Sequence, residues 1–311
     1  MSKKILFSVL ILTITACSSF TNELKNVSAD RIARPAFMVE RYIPTENFKL
    51  YAWERMHERG APATLYIGGD SVSQGHKNPK FSSLLNDEAT PNIPVALQLA
   101  SRDLSENLIF LARPCQYLST KEKKTCPKDY MQSSRYSREI IDNYHDALDE
   151  IKARYDVSNF HLVGYNGGAQ IAGFLTAERQ DVFSFISVAG NLDHDFVSKT
   201  HETEKLDNSL NLKGIAPRIA HVPQHHFIGG ADVLITPGVY HSFRQEMGPS
   251  SCVKYSLIQD ADHTQGWVEK WPDLLKLKPA CSGVKTQKEE PAPLPFEPYI
   301  PSRDAIPLKG R

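Results

Sequence analysis

The chain's patterning predicts an α/β fold, a mostly parallel central sheet flanked by helices. Three observations carry that expectation. Short apolar, β-rich runs alternate with segments of helical periodicity. One such run passes directly through a glycine-punctuated turn into a small-residue helix at 160–178. The composition is that of an ordinary globular protein, with 41% hydrophobic and 23% charged residues over 311 positions. The charge balance, 36 Lys+Arg against 36 Asp+Glu, leaves no basic excess to neutralise a phosphate backbone. Nucleic-acid binding is therefore not expected.

The N-terminus is set apart from the fold. Lys3 and Lys4 precede the apolar run Ile5–Ile14, broken only by Ser8 and Thr13. Ten helical residues reach about 15 Å, half of the hydrocarbon thickness, so the run reads as a secretory signal and not as a membrane span. It ends in Ile14-Thr15-Ala16-Cys17, which resembles the lipobox of bacterial lipoproteins. That resemblance implies cleavage after residue 16, acylation (palmitate among the chains) at Cys17, and attachment to a bacterial membrane through lipid. Ser18, which is not Asp, implies the outer membrane, with the protein facing the periplasm. Residues 17–36 are polar and are expected to form a tether.

The expected domain spans 37–280. Its strands are expected at Phe48–Trp53, Thr64–Ile67, Leu108–Ala112, Phe160–Val163, Phe183–Val188, His226–Ile228 and Tyr255–Ile258. Helices are expected at Val95–Asp103, Gly168–Glu178 and Arg138–Tyr155, the last carrying the stripe Ile140, Tyr144, Ala147/Leu148, Ile151 and Tyr155. With Cys17 lipidated, Cys115, Cys126, Cys252 and Cys281 remain. In an exported chain they permit two disulfides in three connectivities, and the local pairs 115–126 and 252–281 close the shortest loops. His225 and His226 are adjacent in a strand and face opposite ways, so they cannot chelate one ion and a metal site is not expected; no cofactor is expected either. Residues 281–311 hold six prolines between Pro291 and Pro307 and read as an extended tail.

The segment Gly164-Tyr165-Asn166-Gly167-Gly168, between a strand and a helix, has the layout of a nucleophile elbow. Downstream, a strand ends in Gly229-Gly230-Ala231-Asp232, where a triad acid belongs, and the last strand runs into Asp260-Ala261-Asp262-His263, where the histidine belongs. The Gly167 N–H and the Gly69–Asp70 turn are the expected oxyanion donors.

From Thr64 to Trp271 the chain resembles bacterial exported α/β-hydrolases. The likeness is carried by Tyr66-Ile67-Gly68-Gly69-Asp70, Ala112-Arg113-Pro114-Cys115-Gln116-Tyr117, Val188-Ala189-Gly190-Asn191-Leu192-Asp193-His194 and Ala261-Asp262-His263 with Gly266-Trp267. The resemblance implies an α/β-hydrolase fold on a serine-hydrolase scaffold, with a small ester, amide or peptide-like ligand. In that family the elbow carries Ser; here it carries Asn166. An amide nitrogen has no usable lone pair for acyl transfer, so a pseudoenzyme is expected. Two other departures are Gly68, where the family usually shows Glu, and Ser71, where Gly is common. Ser71 is also an alternative nucleophile, because Gly68-Gly69-Asp70-Ser71 resembles the Gly-Asp-Ser block of SGNH-type hydrolases. Deamidation at Asn166-Gly167, giving a carboxylate nucleophile, is a further route. Arg113 is read as an anion-positioning group or a structural ion pair, Trp267 and Trp271 as packing residues. Asp193 and His194 are read as shaping the pocket or capping the next helix.

Overall fold

The computed structural model describes residues 24–70, 89–123 and 126–283. The signal segment, Cys17, Ser71 and the tail beyond residue 283 lie outside the described residues. Eight strands form one sheet: β1 (Val39–Pro44), β2 (Lys49–Met56), β3 (Ala63–Ile67), β4 (Asn107–Leu111), β5 (Phe160–Tyr165), β6 (Val182–Val188), β7 (Gln224–Gly229) and β8 (Val253–Ile258). Their spatial order is β1-β2-β4-β3-β5-β6-β7-β8. Strand β2 runs against both neighbours, and every pairing from β4 to β8 is parallel. The helices used below are α1 (residues 24–33), α2 (Val95–Ala100), α3 (Arg138–Tyr155), α4 (Gly168–Glu178), α5 (His194–His201), α6 (Pro237–Met247) and α7 (Trp271–Leu274).

Two apolar layers cover the two faces of the sheet, and the strand period of two sorts residues between them. Leu65, Ile67, Ile109, Leu111, Phe160 and Leu162 join one layer with α3, α4 and α6. Tyr66, Leu108, Phe110, Val163 and Tyr165 join the other with α1, α2 and α7. The stripe expected on α3 is the buried one, Ile140, Tyr144, Ala147, Leu148 and Ile151. Ser137 caps that helix by accepting from the Ile140 N–H, and Asp156 in the left-handed region ends it. Trp267 and Trp271 are fully buried, as expected of packing residues.

The structure corrects the N-terminal boundary. Residues 24–36, expected within the tether, are helical and packed on the domain: Ala29 and Ala33 are buried, and Asp30 accepts from the Trp53 indole N–H at 3.0 Å. A short helix whose fully buried apolar residues are two alanines, with Ile32 half-buried against the same layer, carries too weak a periodic signal to be read as core. Strand β1 was not anticipated either. It is an edge strand with a mostly exposed burial pattern, so it lacks the alternation that marks a half-buried strand. Helix α2 ends at Ala100, three residues earlier than expected. The disulfides Cys115–Cys126 and Cys252–Cys281 are the two local pairs.

His225 and His226 do face opposite ways. His225 bonds Ser256 and stacks on Phe227, whereas His226 bonds Ser187 Oγ through Nδ1 at 2.7 Å among Phe185, Tyr240 and Phe243. Burial, with smaller contributions from His225 and Arg244, lowers the His226 pKa to about 3. An unfolded chain protonates this imidazole below about pH 6.5, while the folded one refuses the proton until about pH 3. The associated stability is present above pH 6.5 and is lost as pH falls toward 3, with a slope of at most about 1.4 kcal/mol per pH unit. Urea titrations between pH 7 and pH 4 are expected to show this loss, and His226→Gln to flatten it.

Candidate active site

The site is built at the carboxyl ends of the parallel strands. Strand β5 and helix α4 meet so closely that no side chain fits at their crossing. A Cβ on Gly164 would lie 2.5 Å from the Ala169 Cα, and one on Gly168 would lie 2.3 Å from the Ile67 carbonyl oxygen. Between them Asn166 adopts φ +48°, the left-handed region that non-glycine residues enter at a cost, Asn more readily than most. Its N–H donates to the Val188 carbonyl, and its own carbonyl accepts from Ala169 N and Asn191 N. The turn is therefore held on three sides. Gly167 and Gly168 stand at the start of α4, where helical N–H groups have no acceptor within the helix.

Asp232 and His263 come together from separate loops. His263 Nδ1 lies 2.9 Å from Asp232 Oδ2, and Asp232 Oδ1 accepts from the Leu234 and Ile235 N–H groups at 2.8 and 2.9 Å. Asp232 is 3% exposed. A carboxylate only accepts, so Nδ1 carries a proton toward Asp232, and in the neutral ring the lone pair is then on Nε2. The Tyr165 hydroxyl donates to the His263 carbonyl at 2.7 Å, tying the histidine loop to the residue before Asn166. Asp260 pairs with Lys270, and Asp262 accepts from the Thr264 and Gln265 N–H groups. Neither nearby acid competes with Asp232 for the ring.

A cavity of about 600 Å³ opens over these groups. Asn166, His263, Gly69, Asp70, Asn191 and Gln116 supply polar lining, and Ile93, Val95, Phe110, Tyr117 and Val233 supply apolar lining. Gly69 is fixed by Gln116, whose amide donates to the Gly69 carbonyl at 3.0 Å while its oxygen accepts from Arg113 N. The Asp70 carboxylate lies against the elbow, its Oδ2 1.9 Å from where a Gly167 Cβ would be. It takes the Arg113 guanidinium at 2.7 Å and the Tyr136 hydroxyl. Burial works against the Arg113 charge, but Asp70 and the surrounding tyrosines more than offset it and raise its pKa. Burial, reinforced by Asp70, raises that of Tyr136. Arg113 is thus a structural ion-pair partner beneath the cavity wall. Asp193 caps α5 by accepting from the Phe196 N–H and binds Ser242 and Asn211. His194 is buried against Tyr136. Neither lines the cavity.

Asn166 and His263 therefore line one cavity with Gly69 and Asp70, Asp232 holds the histidine from behind, and Gly167 follows Asn166 at the start of α4. Ser71 lies outside the described residues. Sequence reasoning missed Tyr136, Tyr165 as an anchor for the histidine loop, and Asn191 as a cavity residue. Tyr136 had no motif around it. Gln116 and Asn191 stood inside quoted motifs without any signal of what they would touch.

No family model matches this chain, and no curated protein matches it. Solved structures do. An esterase of Pyrococcus furiosus superposes with a TM-score of 0.51 at 14% identity, covering 78% of this chain and 92% of that one. An alpha-beta serine hydrolase homologue from Coxiella burnetii gives 0.50 at 15% identity, with 76% and 95% covered. A membrane phospholipase A described as a bacterial virulence factor gives 0.51 at 13% identity, with 89% and 98% covered. At these identities the likeness shows the fold, which is that of the α/β hydrolases.

Two substitutions test this frame. Gly168→Ala drives a methyl into the Ile67 carbonyl, and a loss of about 2 kcal/mol or more is expected in urea unfolding. Arg113→Met leaves the Asp70 carboxylate uncompensated and is expected to cost about 3–5 kcal/mol. Adding Asp70→Asn to it should recover most of that loss in the same measurement.

Proposed function

We propose that this chain is an exported, lipid-anchored envelope protein, carried on Cys17, whose hydrolase-like cavity binds a small ester-, amide- or peptide-like ligand. Acyl transfer at its elbow is disabled. The single observation behind the proposal is Asn166 on a nucleophile-type turn, lining the same cavity as a His263 that Asp232 holds. Each remaining group has a role with a bound carbonyl compound. The Gly167 N–H and the Gly69–Asp70 turn supply donors to the carbonyl oxygen. His263 Nε2 offers a base whose orientation Asp232 holds. Asn166 presents an amide where a hydroxyl would be deprotonated, so it hydrogen-bonds the ligand and forms no acyl bond.

A second reading, an active ester or amide hydrolase, has one observation in its favour. Asp70, which precedes Ser71 in the Gly-Asp-Ser block of the sequence, lines the cavity and packs against the elbow glycine. The deamidation route is less favoured. It must rearrange the 166–167 peptide, whose carbonyl already accepts two backbone hydrogen bonds.

The two readings part on labelling by a fluorophosphonate and on turnover of an activated short-chain ester. Wild type is expected to be inert to both. Asn166→Ser is expected to gain labelling and turnover, and His263→Ala in that background to lose about 10²–10⁴-fold in rate, the usual contribution of a general base. Wild-type turnover abolished by Ser71→Ala would overturn the disabled-site reading. Peptide mass analysis of wild type is expected to find an intact amide at Asn166.

A further inference from the structure

Most polar groups around the elbow are satisfied by the protein. Asp70, Asp232 and Gln116 each make two or more hydrogen bonds. Three groups on the cavity wall are not satisfied in this way. His263 Nδ1 faces Asp232, but among the described residues no donor meets Nε2. The Asn166 side chain makes no hydrogen bond among them either, to His263 or to any other group. Asn191 is 7% exposed, and its Oδ1 is buried with no partner. All three residues line the same cavity.

The unmet atoms include more acceptors than an ester can answer. In the neutral ring His263 Nε2 only accepts, and so do the two asparagine oxygens. A ligand that matches them must bring a polar hydrogen as well as a carbonyl oxygen. An ester carries acceptors alone. Its carbonyl suits Asn166 Nδ2, but its bridging oxygen sets a lone pair against that of Nε2. A secondary amide has an N–H at that same position in its chain. Its planar trans unit points N–H and C=O in opposite directions, so it fits between two groups that line a common space without bonding each other, as Asn166 and His263 do. Phe110 at the end of β4 and Val233 after β7 also line the cavity, and the strand order sets β4 and β7 on opposite sides of β5, which leads into Asn166. Apolar surface is thus available on both sides of the amide.

We infer that the cavity selects a secondary amide with apolar groups on both sides over the isosteric ester. The amide N–H donates to His263 Nε2, and its carbonyl oxygen accepts from Asn166 Nδ2. This deepens the proposed function and rests on its ligand-binding cavity. The discrimination comes from the ester itself: bound in the same place, it leaves the histidine acceptor desolvated and unpaired.

The test titrates three ligands of one length into the full chain, labelled with 15N-histidine and followed by NMR. They are N-propylbutanamide, its N-methyl derivative and propyl butanoate. N-propylbutanamide is expected to bind about tenfold or more tighter than the other two. It is also expected to move the His263 Nε2 resonance upfield, as donation into a ring lone pair does. His263→Phe assigns that resonance and is expected to bring the three affinities together. Asn166→Gly, which suits the positive φ of the turn, is expected to weaken all three ligands alike and keep their ratio. Equal affinities in wild type, a tighter ester, or an Nε2 signal unmoved by the bound amide would overturn the inference, whether or not His263→Phe folds. A ratio lost in Asn166→Gly would overturn the assignment of the N–H to His263. Binding of none of the three would overturn the cavity reading beneath it. Hydrolysis of propyl butanoate by wild type would refute the disabled site alone, because the ratio of the two amides still reads the N–H contact.

Discussion

Helix α4 approaches strand β5 at van der Waals limits, and this contact sets the geometry of everything around the cavity. The two glycines at the crossing let the Ala169 backbone and the Ile67 carbonyl come to distances at which a methyl group would collide. The residue between them is forced to positive φ, which thrusts its side chain out of the turn at the mouth of the sheet. That backbone demand is independent of what the side chain does chemically. Asn is among the non-glycine residues that tolerate this region best. Asn166 therefore meets the backbone demand of the turn, whatever chemistry its side chain supports.

Around the turn, buried polar groups are arranged in satisfied sets. The Asp232 carboxylate is fixed by two backbone N–H groups before it meets His263, so its orientation is set by the loop after β7 and not by the histidine. The Asp70 carboxylate is neutralised by Arg113 and held by Tyr136. Left alone, a negative charge beside the elbow would repel any developing oxyanion. Paired with Arg113, it becomes a strut that holds the Gly69–Asp70 turn against α4. Each set joins distant parts of the chain, so cavity shape and domain stability depend on the same contacts.

The second apolar layer ties the N-terminal helix to this arrangement. Trp53, Phe110 and Tyr117 pack edge to face and tilted on the α1–α2 side of the sheet, and α1 is pinned there by the Trp53–Asp30 bond. The chain thus enters the fold next to the cavity and not at the far end of the strands.

Much of this was legible in the sequence where a local rule has a local cause. The parallel strands are apolar because both faces are covered, the α3 stripe follows the helical period, and the elbow glycines are demanded by steric contact within five residues of one another. The order of elbow, acid and histidine could be read because each follows a strand that announces itself. Ala29 and Ala33 of α1 bury too little apolar surface to signal a core helix, and the edge strand β1 alternates too weakly to signal a strand. Nothing local marked Tyr136 and Arg113 as the partners of Asp70. Those choices depend on where three loops meet after the sheet is assembled, on hydrogen-bond directions and charge separations of a few ångströms between residues tens of positions apart. Sequence determined the elements and the chemistry available at the strand ends; tertiary structure alone decided which charges pair, because pairing is fixed by distance in space and not along the chain.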